Sequence, residues 1–367
     1  METGSPQSAP GSIRLEATIP EPLATAGPPW GDHPPLVSVL LPVRDGVATL
    51  PRALDSIRGQ QLRDLEVVAV DDGSSDGTFS LLRATAAVDP RIRVVRQAPG
   101  GIVAALETAR QRARGRFLAR MDADDEALPG RLEAQVAALE SDPGLGVVGC
   151  GVRYFPRDRL TDGALRYESW LNSLTTPELL RRDLFVECPL AHPTFLLRRE
   201  ALEEVGGYRE GVGPEDYDLL LRLWEGGWGL GTVPRVLLHW RDHPERLSRV
   251  DPAYAPEAFR RLKAEVLGRT LLKGREGAVI WGAGPTGKAF SRALREEGIP
   301  LLAFVEVDPR KLGQEIHGAP VIAPPEVGRF AGALCLAAVS GEQGREEVRR
   351  CLREAGWEEG RDFVAVA

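Results

Sequence analysis

From residue 36 onward, short unbroken apolar runs alternate with stretches whose apolar residues recur every third or fourth position. Leu36-Val37-Ser38-Val39-Leu40-Leu41-Pro42-Val43 has no polar face, the pattern of a strand buried on both sides of a parallel sheet. Leu50, Ala53, Leu54 and Ile57 then fall at i, i+3, i+4 and i+7, one face of a helix. A second strand, Leu65-Glu66-Val67-Val68-Ala69-Val70, runs straight into Asp71-Asp72-Gly73-Ser74. A helix over 77–87, a strand over 92–95, a helix over 101–114 and a strand over 116–120 follow, and the last runs into Asp122-Ala123-Asp124-Asp125. Leu132, Val136 and Leu139 mark the next helix, and 145–152 reads as a strand. Residues 155–185 look irregular apart from a helix over 177–184. The pattern then predicts a strand over 192–197, a short helix over 199–205, a helix led by Pro214-Glu215-Asp216, and a strand over 236–241.

This alternation is a βαβ rhythm, so the fold class is α/β with a doubly wound, mostly parallel sheet over residues 35–255. A helical linker over 256–274 leads to a second apolar–glycine unit over 275–367. There Ala278-Val279-Ile280-Trp281 is a strand, 286–297 a helix, 301–305 a strand, and two strands over 333–339 and 362–366 flank a helix over 342–355. Residues 1–34 are rich in Pro, Gly, Ser and Ala, bury too little apolar surface to offset ordering entropy, and are expected to be a disordered tail.

Bulk properties narrow the function. A net charge of −7 and a pI near 5.5 argue against a general nucleic-acid binder. Cys150, Cys188, Cys335 and Cys351 stand far apart without a C-x-x-C pair, which suits a reducing compartment and supplies no metal or disulfide framework. No apolar run approaches the ~20 residues of a membrane-spanning helix. The expected location is cytoplasmic, with peripheral membrane contact left open.

Asp122, Asp124 and Asp125 crowd like charges at a strand's carboxyl end, where ligands of open α/β sheets bind. Such a cluster is either a divalent-metal site or a solvated turn before the next helix, and Asp125 alone would also suit a cap of that helix. Asp71-Asp72 ends another strand, so the two clusters are expected to share one ligand. Asp72 alone would also suit a turn in Asp72-Gly73-Ser74, and Glu215-Asp216 an ordinary acidic helix start.

Five strings in register carry a resemblance: VSVLLPVRDG, VVAVDDGSSDGT, RFLARMDADDEALPGRL, HPTFLLRREALEEVGGYRE and EDYDLLLRLW. Over residues 36–250 the chain resembles a family-2 inverting glycosyltransferase of GT-A fold. The resemblance implies a nucleotide-sugar donor, a saccharide or lipid-linked acceptor, and Mn²⁺ or Mg²⁺ at a DXD motif in polysaccharide biosynthesis. It implies Asp124 as metal ligand, His243 as a further one, and Asp122 nearer the sugar or ribose. Pro42, Val43, Asp45 and Asp72 would belong to the donor site, Asp72 on base or ribose. Glu215 and His192 would line the donor and acceptor cleft, and Asp216 would be the catalytic base. Arg44 stands where the family often has an aromatic residue.

Gly282-Ala283-Gly284-Pro285-Thr286-Gly287 fits G-x-G-x-x-G between a strand and a helix, and Glu306 stands where a ribose-binding acid would. VIWGAGPTGKAFSRALREEGI, FVEVDP and IHGAPVIAP resemble the small Rossmann-like domain found beside sugar-modifying enzymes. Gly282, Gly284, Gly287 and Glu306 are thus candidates for a second site, for a dinucleotide or nucleotide. Pro285 removes one amide donor from that loop. Two alternatives stand: a nucleotidyltransferase, which would carry a Gly-rich basic loop after the first strand, and a non-catalytic transferase-like scaffold sensing a dinucleotide.

Overall fold

The computed structural model describes residues 33–367; all but the last two residues of the 1–34 tail lie outside them. The first half runs β1 (Val37–Val43), α1 (Leu50–Arg58), β2 (Leu65–Asp72), α2 (Thr78–Val88), β3 (Ile92–Gln97), α3 (Gly101–Arg112), β4 (Phe117–Arg120), β5 (Glu126–Ala127) and α4 (Arg131–Ser141). It continues with β6 (Leu145–Phe155), α5 (Asp162–Ser173), α6 (Pro177–Arg182), β7 (Leu196–Arg198), α7 (Arg199–Glu204), α8 (Glu215–Glu225), β8 (Gly229–Arg241) and α9 (Leu247–Val250). After α10 (Pro256–Arg269) come β9 (Ala278–Trp281), α11 (Pro285–Glu296), β10 (Leu301–Val305), β11 (Glu315–Ile316), β12 (Ala319–Ile322), β13 (Leu334–Ala337), α12 (Glu342–Glu354) and β14 (Phe363–Ala365).

The first sheet has the order β3-β2-β1-β4-β7-β6-β8-β5. Its β3-β2-β1-β4 half is parallel, and every residue of β1 and β2 is buried, as their unbroken apolar runs require. The strand order reverses at β1, so the ends of β1, β2 and β4 open on one crevice. β7 runs antiparallel between β4 and β6, and β5 pairs antiparallel with the end of β8. The sheet is therefore mixed but mostly parallel, as the apolar pattern implied.

The second sheet, β11-β12-β10-β9-β13-β14, is parallel apart from the β11–β12 hairpin, and its order reverses at β9. The hairpin escapes the sequence pattern because its strands are too short to show a period.

Two local expectations are corrected and a third gains a role. Residues 162–173 form α5, begun by Thr161, whose Oγ1 accepts from the Ala164 amide at 3.2 Å. Its periodicity is hidden because only Leu171 of the helix is buried. The strand expected over 192–197 shrinks to β7, since Pro193 cannot donate to a ladder and His192–Thr194 turn as a 3₁₀ segment instead. The expected linker helix is present as α10, and it is also core. Leu262, Val266 and Leu267 of α10 belong to one apolar cluster that also holds Leu197 and Leu220 of the first unit and Ile280, Phe290 and Leu336 of the second.

That shared cluster predicts cooperative unfolding. Leu267→Ala, at a fully buried side chain, is expected to cost about 2–5 kcal/mol. In denaturant, the tryptophan emission and far-UV dichroism transitions should shift together; two separate transitions with one unmoved would contradict a common core.

Candidate active site

β4 leaves the sheet at Arg120, and the chain turns back within a few residues to form β5. The turn holds carboxylate oxygens of Asp122, Asp124 and Asp125 within 4.8 Å of one another. Each acid has a different partner. The Arg120 guanidinium, 1% exposed, donates from Nη1 to Asp122 Oδ1 at 2.5 Å and leaves its Nε unpartnered. His243 Nε2 stands 3.4 Å from Asp124 Oδ2. The Arg241 amide donates to Asp125 Oδ1 at 2.7 Å, while Asp125 Oδ2 is buried without a partner.

Asp125 is therefore no helix cap: α4 starts behind Gly130, and Asp125 ties β8 to the acid turn instead. Burial and the neighbouring Asp122 charge raise the Asp124 carboxyl above its ordinary range, and burial with both neighbours raises Asp125 further. A compact set of oxygen ligands holding an orphaned, buried carboxylate oxygen fits a hard divalent cation.

The second acidic element is the start of α8, where the helix N-terminus favours negative charge. Glu215 is buried, its Oε1 3.4 Å from His192 Nδ1 and its Oε2 accepting from Tyr254 Oη at 2.5 Å. His192 Nε2 lies 3.1 Å from Tyr208 Oη. Burial opposes the Glu215 charge, but the His192 and Tyr254 contacts outweigh it and hold the carboxyl below its usual value. Asp216 goes the other way. Burial first, then the Glu215 charge, pushes it up to about 6. Its Oδ1 accepts from the Tyr217 amide at 2.7 Å, and the Cys188 thiol stands 3.8 Å from Oδ2.

A cleft of about 560 Å³ unites these parts. Of the residues singled out in the sequence, Asp122, Asp124, His192, Glu215, Asp216 and His243 line it. Pro42, Val43, Asp45 and Asp72 do not. Pro42 and Val43 are buried at the end of β1. Asp45 stitches two loops together, accepting from the Ser75 amide at 2.7 Å and hydroxyl at 3.1 Å, from a left-handed backbone (φ 48°) that aspartate tolerates.

Asp72 holds the start of α3. Its Oδ1 accepts from Gln97 Nε2 and the Gly100 amide, both at 2.8 Å, and its Oδ2 from the Gly101 amide at 2.9 Å, so its carboxylate is spent on the start of α3. At that strand end it is Asp71 whose buried oxygens accept no hydrogen bond, with Arg96 Nε 3.1 Å away.

Sequence reasoning also missed Arg120, Glu187, Cys188, Arg246 and Tyr254, which line the cleft from four separate stretches of the chain. Arg246 lies over the Trp240 and Tyr154 rings, at 4.3 and 5.5 Å from their centroids. The basic run from Arg241 to Arg249 was the available signal.

Gly282, Gly284 and Glu306 line a second cavity, about 430 Å³, at the carboxyl ends of the second sheet where its strand order reverses. Gly287 lies beneath it: a Cβ there would come within 1.9 Å of the Gly282 carbonyl oxygen, so only glycine lets α11 pack on the loop. Glu306 is occupied by its own chain. Oε1 accepts from the Val307 and Asp308 amides, and Oε2 from the Ala283 amide at 3.2 Å and Lys311 Nζ at 2.8 Å.

Residues 38–206 match the profile described as Glycosyl transferase family 2. The chain is 30% identical over 241 residues to the putative glycosyltransferase EpsE of Bacillus subtilis, covering 62% of this chain and 84% of that protein. The chain belongs to glycosyltransferase family 2. The transferase is also 32% identical over 279 residues to the uncharacterized protein y4gI of Sinorhizobium fredii, 74% of this chain but 29% of that one. It likewise spans 49% of the length of EpsJ, another B. subtilis glycosyltransferase, at 31% identity. In fold it resembles Staphylococcus aureus TarS residues 1–349, solved with UDP-GlcNAc, at TM-score 0.52 and 18% identity over 63% of this chain and 66% of that one. Among the described residues no helix is long and apolar enough to cross a membrane.

The donor set makes separable predictions. Asp124→Asn and Asp125→Asn should each weaken Mn²⁺-dependent UDP or GDP binding about tenfold or more in calorimetric titration. Asp72→Asn should instead cost about 1 kcal/mol of stability with that binding unchanged. Equal nucleotide affinity with and without chelator in the Asp124 and Asp125 variants would remove them from a metal site.

Proposed function

We propose that this family-2 glycosyltransferase moves a sugar from a nucleotide-diphosphate donor to an acceptor hydroxyl with inversion, with Asp216 as general base. The observation carrying this reading is that Asp216, raised in pKa and with one oxygen 3.8 Å from a thiol, lines the same cleft as the acid turn. The acceptor O–H gives its proton to Asp216 as the oxygen attacks the anomeric carbon. The bond from that carbon to the leaving phosphate breaks, and its electron pair stays on the diphosphate. Inversion needs only this one base if the departing charge is neutralised without a proton.

Asp124, with Asp122, Asp125 and His243, would hold Mn²⁺ or Mg²⁺, which when bound offsets that charge as a Lewis acid. Glu215, kept ionised by His192 and Tyr254, keeps Asp216 basic by repulsion and does not compete for its proton. The resemblance to transferases acting on nucleotide sugars supports the donor class, and family relatives named for polysaccharide synthesis support a saccharide acceptor: chondroitin synthase of Pasteurella multocida matches at 29% identity.

Asp216→Asn should lower transfer about 10²–10⁴-fold while donor affinity stays nearly intact; an active variant would sink the assignment. Since Asp216 must be ionised and its pKa sits near 6, kcat/KM of the native enzyme should fall about tenfold per pH unit below that value and level off above it. A flat profile between pH 5 and about 7 would count against Asp216.

For the second cavity we propose a nucleotide. The strand-order reversal, the glycine loop and the apolar walls of Trp281, Val307 and Val348 support this reading. Glu306, which lines this cavity with its partner Lys311, is the acid placed to meet ribose hydroxyls. Cys351 lines this cavity, so millimolar NAD or UDP-sugar should slow its alkylation by iodoacetamide, read by mass spectrometry. No protection by either class of nucleotide would leave the second domain without this role.

A further inference from the structure

The loop after α6 belongs to both halves of the molecule. Asp183, at its start, is buried, and its Oδ1 accepts from Arg349 Nη2 of α12 at 2.5 Å. Arg349 is itself only 1% exposed and also donates to Glu359 at 2.7 Å and Glu346 at 2.8 Å. Three residues on, the Val186 side chain sits in the core of the second domain, in one cluster with Val279, Trp281, Val348 and Leu352. The Val186 carbonyl accepts from Lys263 Nζ of α10 at 2.8 Å. The same ammonium donates to the Val366 carbonyl, at the end of the second sheet, at 3.1 Å.

The next two residues then turn into the catalytic cleft. Glu187 and Cys188 line it, and the Cys188 thiol is the neighbour of Asp216 Oδ2. The base is thus bordered by a loop whose preceding residues are held by the second domain and the bridging helix. A buried arginine bonded to three carboxylates, and a buried lysine holding carbonyls from both halves, are costly arrangements that solubility alone does not require.

We propose that the second domain is a built part of the cleft wall beside the base, with Arg349 and Lys263 as positioning residues that hold the 183–188 loop against Asp216. The inference rests on the reading of Asp216 as general base. α12 also presents Gly344, Glu347, Val348 and Cys351 to the second cavity, so the helix that holds the loop is a wall of that cavity as well.

Three of the four cysteines test this in the full chain. Cys188 is in the loop, Cys150 in the first sheet and Cys335 in the second, all three buried. Arg349→Met and Lys263→Met should raise Cys188 alkylation by iodoacetamide about tenfold or more, with Cys150 and Cys335 as protected as in the native chain. Hydrolysis of UDP- and GDP-sugars, read as released nucleoside diphosphate, should lose about tenfold or more in kcat from the shifted base environment, with nucleotide affinity held within about twofold. Arg349→Lys should recover part of both effects, and Asp183→Asn serves as a milder break where Arg349→Met does not fold. Cys188 staying as protected as in the native chain, or all three cysteines opening together, would overturn the proposal. So would nucleotide affinity falling in step with kcat. An active Asp216→Asn would overturn the base reading instead, and the labelling pattern would still decide whether the loop is held from the second domain.

Discussion

Three carboxylates within a few ångströms repel unless positive groups are brought to them, and much of the first domain is arranged to supply these. Arg120 comes from the strand that precedes the acids. The rest comes from far along the chain, because β5 pairs with the end of β8, setting Glu126 opposite His239 and Ala127 opposite Leu238. That pairing delivers the Arg241 amide to Asp125 and His243 to Asp124, and carries Arg246 into the cleft. A two-residue strand thereby fixes which distant groups face the acid turn. Even so, one Asp125 oxygen stays buried and unmatched, as expected of a site built for one more positive charge.

The other acidic pair shows environment dividing labour between neighbours. Glu215 and Asp216 are adjacent at the start of one helix and share whatever its dipole offers. Glu215 is bonded by His192 and Tyr254 and held ionised; Asp216 has a backbone amide and a thiol, and its pKa rises. Two carboxylates pushed apart in pKa by their surroundings are a recurrent basis for assigning acid and base roles. Here the tyrosine and histidine that separate them arrive from 39 residues downstream and from the turn before β7.

The two domains are not beads on a string. α10 buries apolar residues in a cluster common to both sheets, and Lys263 and Arg349 add polar contacts across the seam that demand accurate geometry. Contacts of this kind usually cost desolvation more than they contribute to stability, and their retention is easier to understand as specifying one relative position. That position brings α12, a wall of the second cavity, to the base of a loop that ends beside Asp216.

The sequence by itself determined the α/β class, the family and six of the cleft residues. The reason is local: a strand buried on both faces must read as an unbroken apolar run, and acids at its carboxyl end are set there by the chain's own order. Tertiary structure decided everything that depends on which oxygens remain free. Asp71 and Asp72 are indistinguishable as letters, yet only the fold shows Asp72 consumed by the amides that open α3. Asp125 could be a cap or a cluster member until β8 came beside it, and only the fold shows Glu306 bonded by Lys311 and three amides. Hydrogen-bond capacity is used up by neighbours distant in sequence, and periodicity carries no information about that.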